Sequence, residues 1–206
     1  MELLTKIQDL IEQLNTETIS RERKEILFPL IEFIQAKADA NQEIRLHFIC
    51  THNSRRSLFA QIWAETMAHY FDIKDVCCYS GGTEVTAVYP TLITTFQDSG
   101  FQVVRILEGK NPRYHIKYTE GKSPIIGFSK KIDDPFNPKS EFAAIMTCSQ
   151  ADDNCPFIIG AEKRIPLTYE DPKIFDNTEE ETKKYKERNL QIATELLYIF
   201  SQIRQN

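Results

Sequence analysis

Long hydrophobic runs are missing from this 206-residue chain. It has no stretch of about 18 consecutive apolar residues, so no membrane-spanning helix is expected. The N-terminus is too acidic, and too short of continuous apolar residues, to read as a signal peptide. Excess positive charge is missing too. The 25 Lys and Arg stand against 30 Asp and Glu, a net charge of −5, which argues against general binding of nucleic acid or anionic membranes. A small anion would have to be held by a local positive site, not by the overall field. The expectation is a cytoplasmic protein without a membrane or nucleic-acid partner. Cysteine is sparse at five residues. In a reducing compartment such cysteines are catalytic, redox-active or buried, not structural disulfides.

What is present is enough apolar content, 41%, for one real domain plus an extension. Residues 1–42 read as a helical pair. Leu3, Leu4, Ile7, Leu10, Ile11 and Leu14 recur at helical spacing, and a second stripe runs through Ile26, Leu27, Leu30, Ile31 and Ile34. Ser20 is a plausible cap, and Pro29 is placed to bend or delay the second helix. These stripes are expected to pack on the body of the protein. From residue 43 onward strands and helices alternate. Strands are expected over 44–49, 75–79, 142–147 and 164–167, and helices over 57–70, 90–99 and 178–204. Trp63 and Tyr70 are expected in the core. Cys77 and Cys78, adjacent on a strand, point to opposite faces and read as small apolar residues. Such alternation implies an α/β fold, a doubly wound four-stranded parallel sheet of order 2-1-3-4 flanked by helices. An inserted segment at about 108–140 carries a hairpin signal, 113–118 and 124–129 around Thr119-Glu120-Gly121-Lys122-Ser123. It is expected to be an exposed edge hairpin.

The densest chemistry lies in Cys50-Thr51-His52-Asn53-Ser54-Arg55-Arg56-Ser57, between the first strand and the helix after it. A loop entering a helix presents unpaired N–H groups at the positive end of the helix dipole, which suits a phosphate-like anion. Arg56 adds a planar charged fork that matches two oxygens of a tetrahedral oxyanion. The same field favours a thiolate at Cys50. Asn53 tolerates the left-handed backbone that an inward-curling loop requires. Ser54 and Ser57 can donate hydrogen bonds to the thiolate or the loop. Thr51, His52, Asn53, Ser54, Arg55, Arg56 and Ser57 are the candidate anion-binding residues.

This stretch resembles the phosphate loop of the low-molecular-weight protein tyrosine phosphatase superfamily, in particular its branch of thioredoxin-coupled arsenate reductases. The resemblance spans most of residues 43–176 and leaves the N-terminal helices outside. Ser80-Gly81-Gly82-Thr83-Glu84 is similar to the turn after the family's second strand, with Gly81 in place of alanine. Cys148-Ser149-Gln150-Ala151-Asp152-Asp153-Asn154-Cys155 resembles the redox segment of the reductases. Neighbouring strands lie about 4.8 Å apart, so cysteines ending the first and third strands can approach disulfide range. Cys155, on a polar segment, would relay the bond outward. Tyr169-Glu170-Asp171-Pro172 resembles the Asp-Pro element that supplies the family's general acid, with Asp171 preferred over Glu170 or Asp176.

The resemblance implies arsenate reduction. Cys50 attacks arsenic, Arg56 holds oxygens and Asp171 protonates the departing oxygen. Cys148 then forms a disulfide with Cys50, and Cys155 moves it to Cys148–Cys155 for thioredoxin. No bound cofactor or metal is implied. The alternatives are phosphotyrosine hydrolysis through a phosphocysteine and a non-catalytic oxyanion-binding regulatory module. Three features depart from the family pattern. Arg55 stands where relatives carry a small residue or cysteine, and could tighten anion binding or face solvent. Gln61 replaces a glutamate associated with a cation site. The insertion and N-terminal helices could reshape access.

Overall fold

The computed structural model describes residues 2–154 and 157–204. Its centre is a four-stranded parallel sheet of spatial order β2-β1-β6-β7, formed by β1 (Ile44–Cys50), β2 (Val76–Gly82), β6 (Phe142–Met146) and β7 (Ala161–Pro166). In sheet count this is the expected 2-1-3-4. Strand β1 is central, with Ile44 beside Val76 on one side and Leu46 beside Ala143 on the other. Six of its seven residues are buried, which is why it reads as a continuous apolar run and not as an alternation.

One face of the sheet receives α3 (Arg56–Tyr70) and α6 (Glu181–Ser201), together with α4 (Pro90–Asp98) and the N-terminal α1 (Thr5–Gln13) and α2 (Arg21–Asp39). Ile7, Ile11, Leu27, Leu30 and Ile34 are all buried against this core, so both N-terminal stripes pack inward as expected. Ser20 Oγ accepts from Arg23 N at 3.1 Å, capping α2, and Pro29 lies inside that helix without ending it. Trp63 is fully buried, and its Nε1 donates to Asn189 Oδ1 at 2.7 Å. Tyr70 differs from expectation. It is the last residue of α3 and is 39% exposed.

The insertion is more than a hairpin. Strands β4 (Arg113–Lys117) and β5 (Ile125–Gly127) pair antiparallel as expected, but β3 (Gln102–Leu107) pairs with the other side of β4. Of the expected edge hairpin, β5 does lie at an edge of this small sheet, but β4 does not. β4 is the middle strand, with Tyr114 and Ile116 buried, and β3 takes the outer position with Val104, Ile106 and Leu107 exposed. The chain leaving β5 crosses to the carboxyl end of the main sheet. There Gly82 N donates to Lys130 O at 2.8 Å and Ile132 N donates to Gly82 O at 3.0 Å.

Candidate active site

The loop between β1 and α3 is built around one sulfur. Cys50 ends β1 and is buried. Asn53 N donates to Cys50 Sγ at 3.2 Å, and Ser57 Oγ lies 3.1 Å from the same sulfur. Asn53 Nδ2 donates to Ser57 Oγ at 2.8 Å, which closes a ring of contacts around the thiol. Asn53 takes the left-handed backbone, φ 46°, as the sequence suggests. Gly82 makes room for this turn. A Cβ there would meet Thr51 O at 2.7 Å and Asn53 N at 2.8 Å, closer than atoms approach without displacement. The loop is braced on its outer side as well. Ser54 Oγ donates to Ala87 O at 2.5 Å, Ser129 Oγ donates to His52 O at 2.7 Å, and Lys130 N donates to Asn53 Oδ1 at 3.0 Å. The His52 side chain stays partly exposed, with Nε2 3.5 Å from Glu84.

The adjacent arginines do different work. Arg56, the first residue of α3, donates through Nη2 to Asp171 Oδ2 at 2.5 Å and through Nη1 to the Tyr169 carbonyl at 3.0 Å. The candidate acid and the candidate anion ligand therefore meet at the mouth of the loop. Arg55, expected among the anion ligands, turns the other way. Its guanidinium bonds Tyr185 Oη and Asp176 and lies 4.3 Å above the Tyr89 ring. Of the other candidate acids, Glu170 accepts from Arg188 at 3.1 Å, and Asp176 is held by Arg55 and Tyr185.

Cys148 lies just past β6. It is buried in the same apolar cluster as Cys50, Met146 and Ala151, and both thiols are free. Thr51 Oγ1 stands 3.5 Å from Cys148 Sγ, and Ala151 N donates to that sulfur at 3.3 Å. The polar segment after it is helical, forming α5 (Ser149–Asn154). Cys155 lies outside the described residues.

The fold that carries this site has counterparts among known proteins. No family model matches the chain. An arsenate reductase of Bacillus licheniformis is 29% identical over 136 residues, which is 66% of this chain and 79% of the relative. A low-molecular-weight phosphotyrosine phosphatase from Vibrio cholerae O395 superposes with a TM-score of 0.52 at 12% identity, covering 77% of this chain and 94% of that one. A YwlE mutant from Bacillus subtilis gives a TM-score of 0.51 at 13% identity, covering 78% and 98%. The fold is that of the low-molecular-weight phosphotyrosine phosphatases.

Behind the loop lies a buried polar group that the sequence does not single out. Lys130 is buried, and its Nζ lies 3.4 Å from Ser80 Oγ, which itself donates to Gln61 Oε1 at 2.6 Å. Burial holds the Lys130 ammonium down at about 8, against a weaker opposing pull from Asp134. Burial, then the Lys130 charge, push the neighbouring His47 down to about 3, so His47 is neutral. Gln61 Nε2 donates to Cys78 O at 3.0 Å. The glutamine thus serves as a hydrogen-bonding link between α3 and β2. Among the described residues no group of three or more His, Cys, Asp or Glu is placed to hold a metal, and no helix is long and apolar enough to cross a membrane. Lys130, Ser129 and Tyr185 are the residues around the loop that sequence reasoning missed, and Asp176 was weighed there only as an alternative acid. The doublet Arg55-Arg56 was the one available signal, since a second buried arginine requires a carboxylate partner somewhere in the chain.

Proposed function

We propose that the protein reduces arsenate to arsenite, with Cys50 as nucleophile and thioredoxin as the regenerating reductant. The observation that carries this reading is the second buried thiol beside the cradle. Cys148 Sγ is 3.5 Å from Thr51 Oγ1, the residue next to Cys50, and the two cysteines share one apolar cluster. Hydrolysis of a phosphate ester needs no such thiol. The likeness to an arsenate reductase over 136 residues points the same way.

Arsenate enters the loop, and Arg56 exchanges its contact with Asp171 for oxygens of the anion. The Cys50 thiolate bonds to arsenic as an arsenic–oxygen bond breaks. Asp171 delivers a proton to the departing oxygen, which leaves as water. The Cys148 thiolate then attacks Cys50 Sγ. The new S–S bond forms as the S–As bond breaks, and that electron pair stays on arsenic, taking As(V) to As(III). Arsenite departs. Cys155 attacks Cys148 Sγ and frees the Cys50 thiolate. The dithiol of thioredoxin reduces the Cys148–Cys155 disulfide and is itself oxidised to a disulfide.

Phosphomonoester hydrolysis is the second reading, favoured by the Asp171–Arg56 pair at the mouth of the loop, which serves a phosphate ester as readily as arsenate. The test compares arsenate reduction with thioredoxin against p-nitrophenyl phosphate hydrolysis, for the parent chain, Cys50→Ser and Cys148→Ser. The reductase reading expects Cys50→Ser to abolish all turnover and Cys148→Ser to abolish reduction alone. Brisk hydrolysis with no reduction, and a silent Cys148→Ser, would refute it.

A further inference from the structure

Residues 169–176 carry the candidate acid, and two consecutive arginines grip the segment at its two ends. At one end Arg56 holds Asp171 and the Tyr169 carbonyl. At the other end Arg55 is paired with Asp176, with side-chain exposures of only 9% and 13%. Tyr185 Oη donates to Asp176 Oδ1 at 2.7 Å and accepts from Arg55 Nε. Tyr89 stacks on Tyr185 with ring centroids 5.5 Å apart, so the Arg55 guanidinium has an aromatic floor. Between the two grips lies a single 3-10 turn, Pro172–Phe175. Its ends are tied by Lys173 N donating to Asp171 Oδ1 at 3.1 Å and Asp176 N donating to Lys173 O at 3.0 Å. The bridge is short, proline-started and internally bonded, so a displacement at one end is felt at the other.

The two grips differ in what the reaction asks of them. An oxyanion in the loop needs the Arg56 fork, which is now engaged by Asp171. To act as an acid, Asp171 must leave that fork, carry a proton and stand over the departing oxygen. Nothing in that exchange involves the Arg55 guanidinium, which touches the loop through a long 3.5 Å contact to Ser54 Oγ and otherwise packs on Tyr89, Tyr185 and Asp176. We propose that Arg55, Asp176 and Tyr185 form a fixed anchor that holds Asp171 over the anion after it releases Arg56. They are positioning residues for the acid, not anion ligands. The inference rests on reading Asp171 as the proton donor.

The test is a double-mutant cycle of Asp176→Asn with Asp171→Asn. It reads the single-turnover rate at saturating anion and the inhibition constant for inorganic phosphate, on whichever of arsenate or p-nitrophenyl phosphate the parent turns over. Asp176→Asn is expected to slow the single-turnover rate by about tenfold or more, the scale of a misplaced catalytic group, with the phosphate constant within twofold of the parent. In the Asp171→Asn background the same change is expected to have almost no further effect. A merely structural role predicts the opposite: multiplicative losses, or weaker phosphate binding in step with the slower rate. Either of those, or an Asp176→Asn rate within twofold of the parent, overturns the anchor. If Asp176→Asn does not fold, Tyr185→Phe takes its place in the cycle under the same criteria. An inactive parent chain would overturn the functional reading and the anchor with it. An active parent with a silent Asp176→Asn would overturn the anchor alone.

Discussion

Two corners of the same sheet carry Cys50 and Cys148, and they are built very differently. At the first, β1 hands over to the 15-residue helix α3 through a loop fastened on every side. Gly82 closes from below, Asn53 and Ser57 ring the sulfur, and Ser129 and Lys130 clamp the outside. At the second, β6 hands over to the six-residue helix α5. There the Cys148 sulfur accepts from Ala151 N, and Arg164 pairs with Asp152 at 2.5 Å. A helix that short has little stability of its own. The difference fits the two tasks of the proposed reaction. Capturing an anion calls for donors that are already in place, whereas passing a disulfide along a chain calls for a segment that opens at low cost.

Changes at either corner can break that contrast. The largest effect is expected from Gly82→Ala. The added methyl would press on Thr51 O and Asn53 N, both backbone atoms, so relief means moving the cradle itself. A loss of about 1–3 kcal/mol in unfolding free energy, with weaker phosphate binding in calorimetry, is expected. Unchanged phosphate affinity would show that the first corner is softer than its contacts imply.

Lys130→Met tests the clamp behind that corner through pH. The folded chain gives up the Lys130 proton near pH 8, while an unfolded lysine keeps its own to about 10.5. Below pH 8 the fold therefore bears the full cost of a desolvated ammonium. Between pH 8 and 10.5 the unfolded chain binds more protons, so this group lets stability rise with pH. Removing the charge should raise stability relative to the parent below pH 8, by up to about 3 kcal/mol, and the gap should close by pH 10.5. Urea unfolding of both chains at pH 7 and pH 10 measures it. A gap that widened with pH would place the Lys130 charge in a stabilising role.

The smallest effect sharpens the comparison most directly. Ala60 in α3 and Ala151 in α5 are both buried. Glycine at a helix interior costs about 1 kcal/mol relative to alanine. Ala60→Gly should lower global stability by at least that amount, while Ala151→Gly should leave it nearly unchanged and speed hydrogen exchange only around α5. Equal global losses would mean that the two corners unfold as one unit.

Much of the main sheet was legible because its signals are local. Strand β1 is an apolar run, the Cys50–Arg56 spacing follows it, and Pro90 marks the start of α4. The helix pair followed from periodicity alone. What was hidden depends on distant partners. Nothing near Arg55 tells which way it turns. Asp176, 121 residues away, and Tyr185, 130 residues away, decide it. Strand β3 was missed because its outward apolar residues do not alternate against a core. It exists through pairing with β4. Nothing in the sequence sets Lys130 apart in its polar stretch, and it is the return of the insertion across Gly82 that buries it. Tyr70 was misjudged from residue type, since its place at the last position of α3 leaves it 39% exposed.

The small sheet also joins the two ends of the molecule. Leu4 N donates to Tyr118 O at 2.9 Å, and Thr119 Oγ1 donates to Glu2 O at 2.6 Å. From there β4 and β5 lead by backbone pairing to Lys130, whose amide grips Asn53. The first few residues are thus bonded to the same small sheet whose chain runs on to the Cys50 loop, and trimming them would take two hydrogen bonds from that sheet.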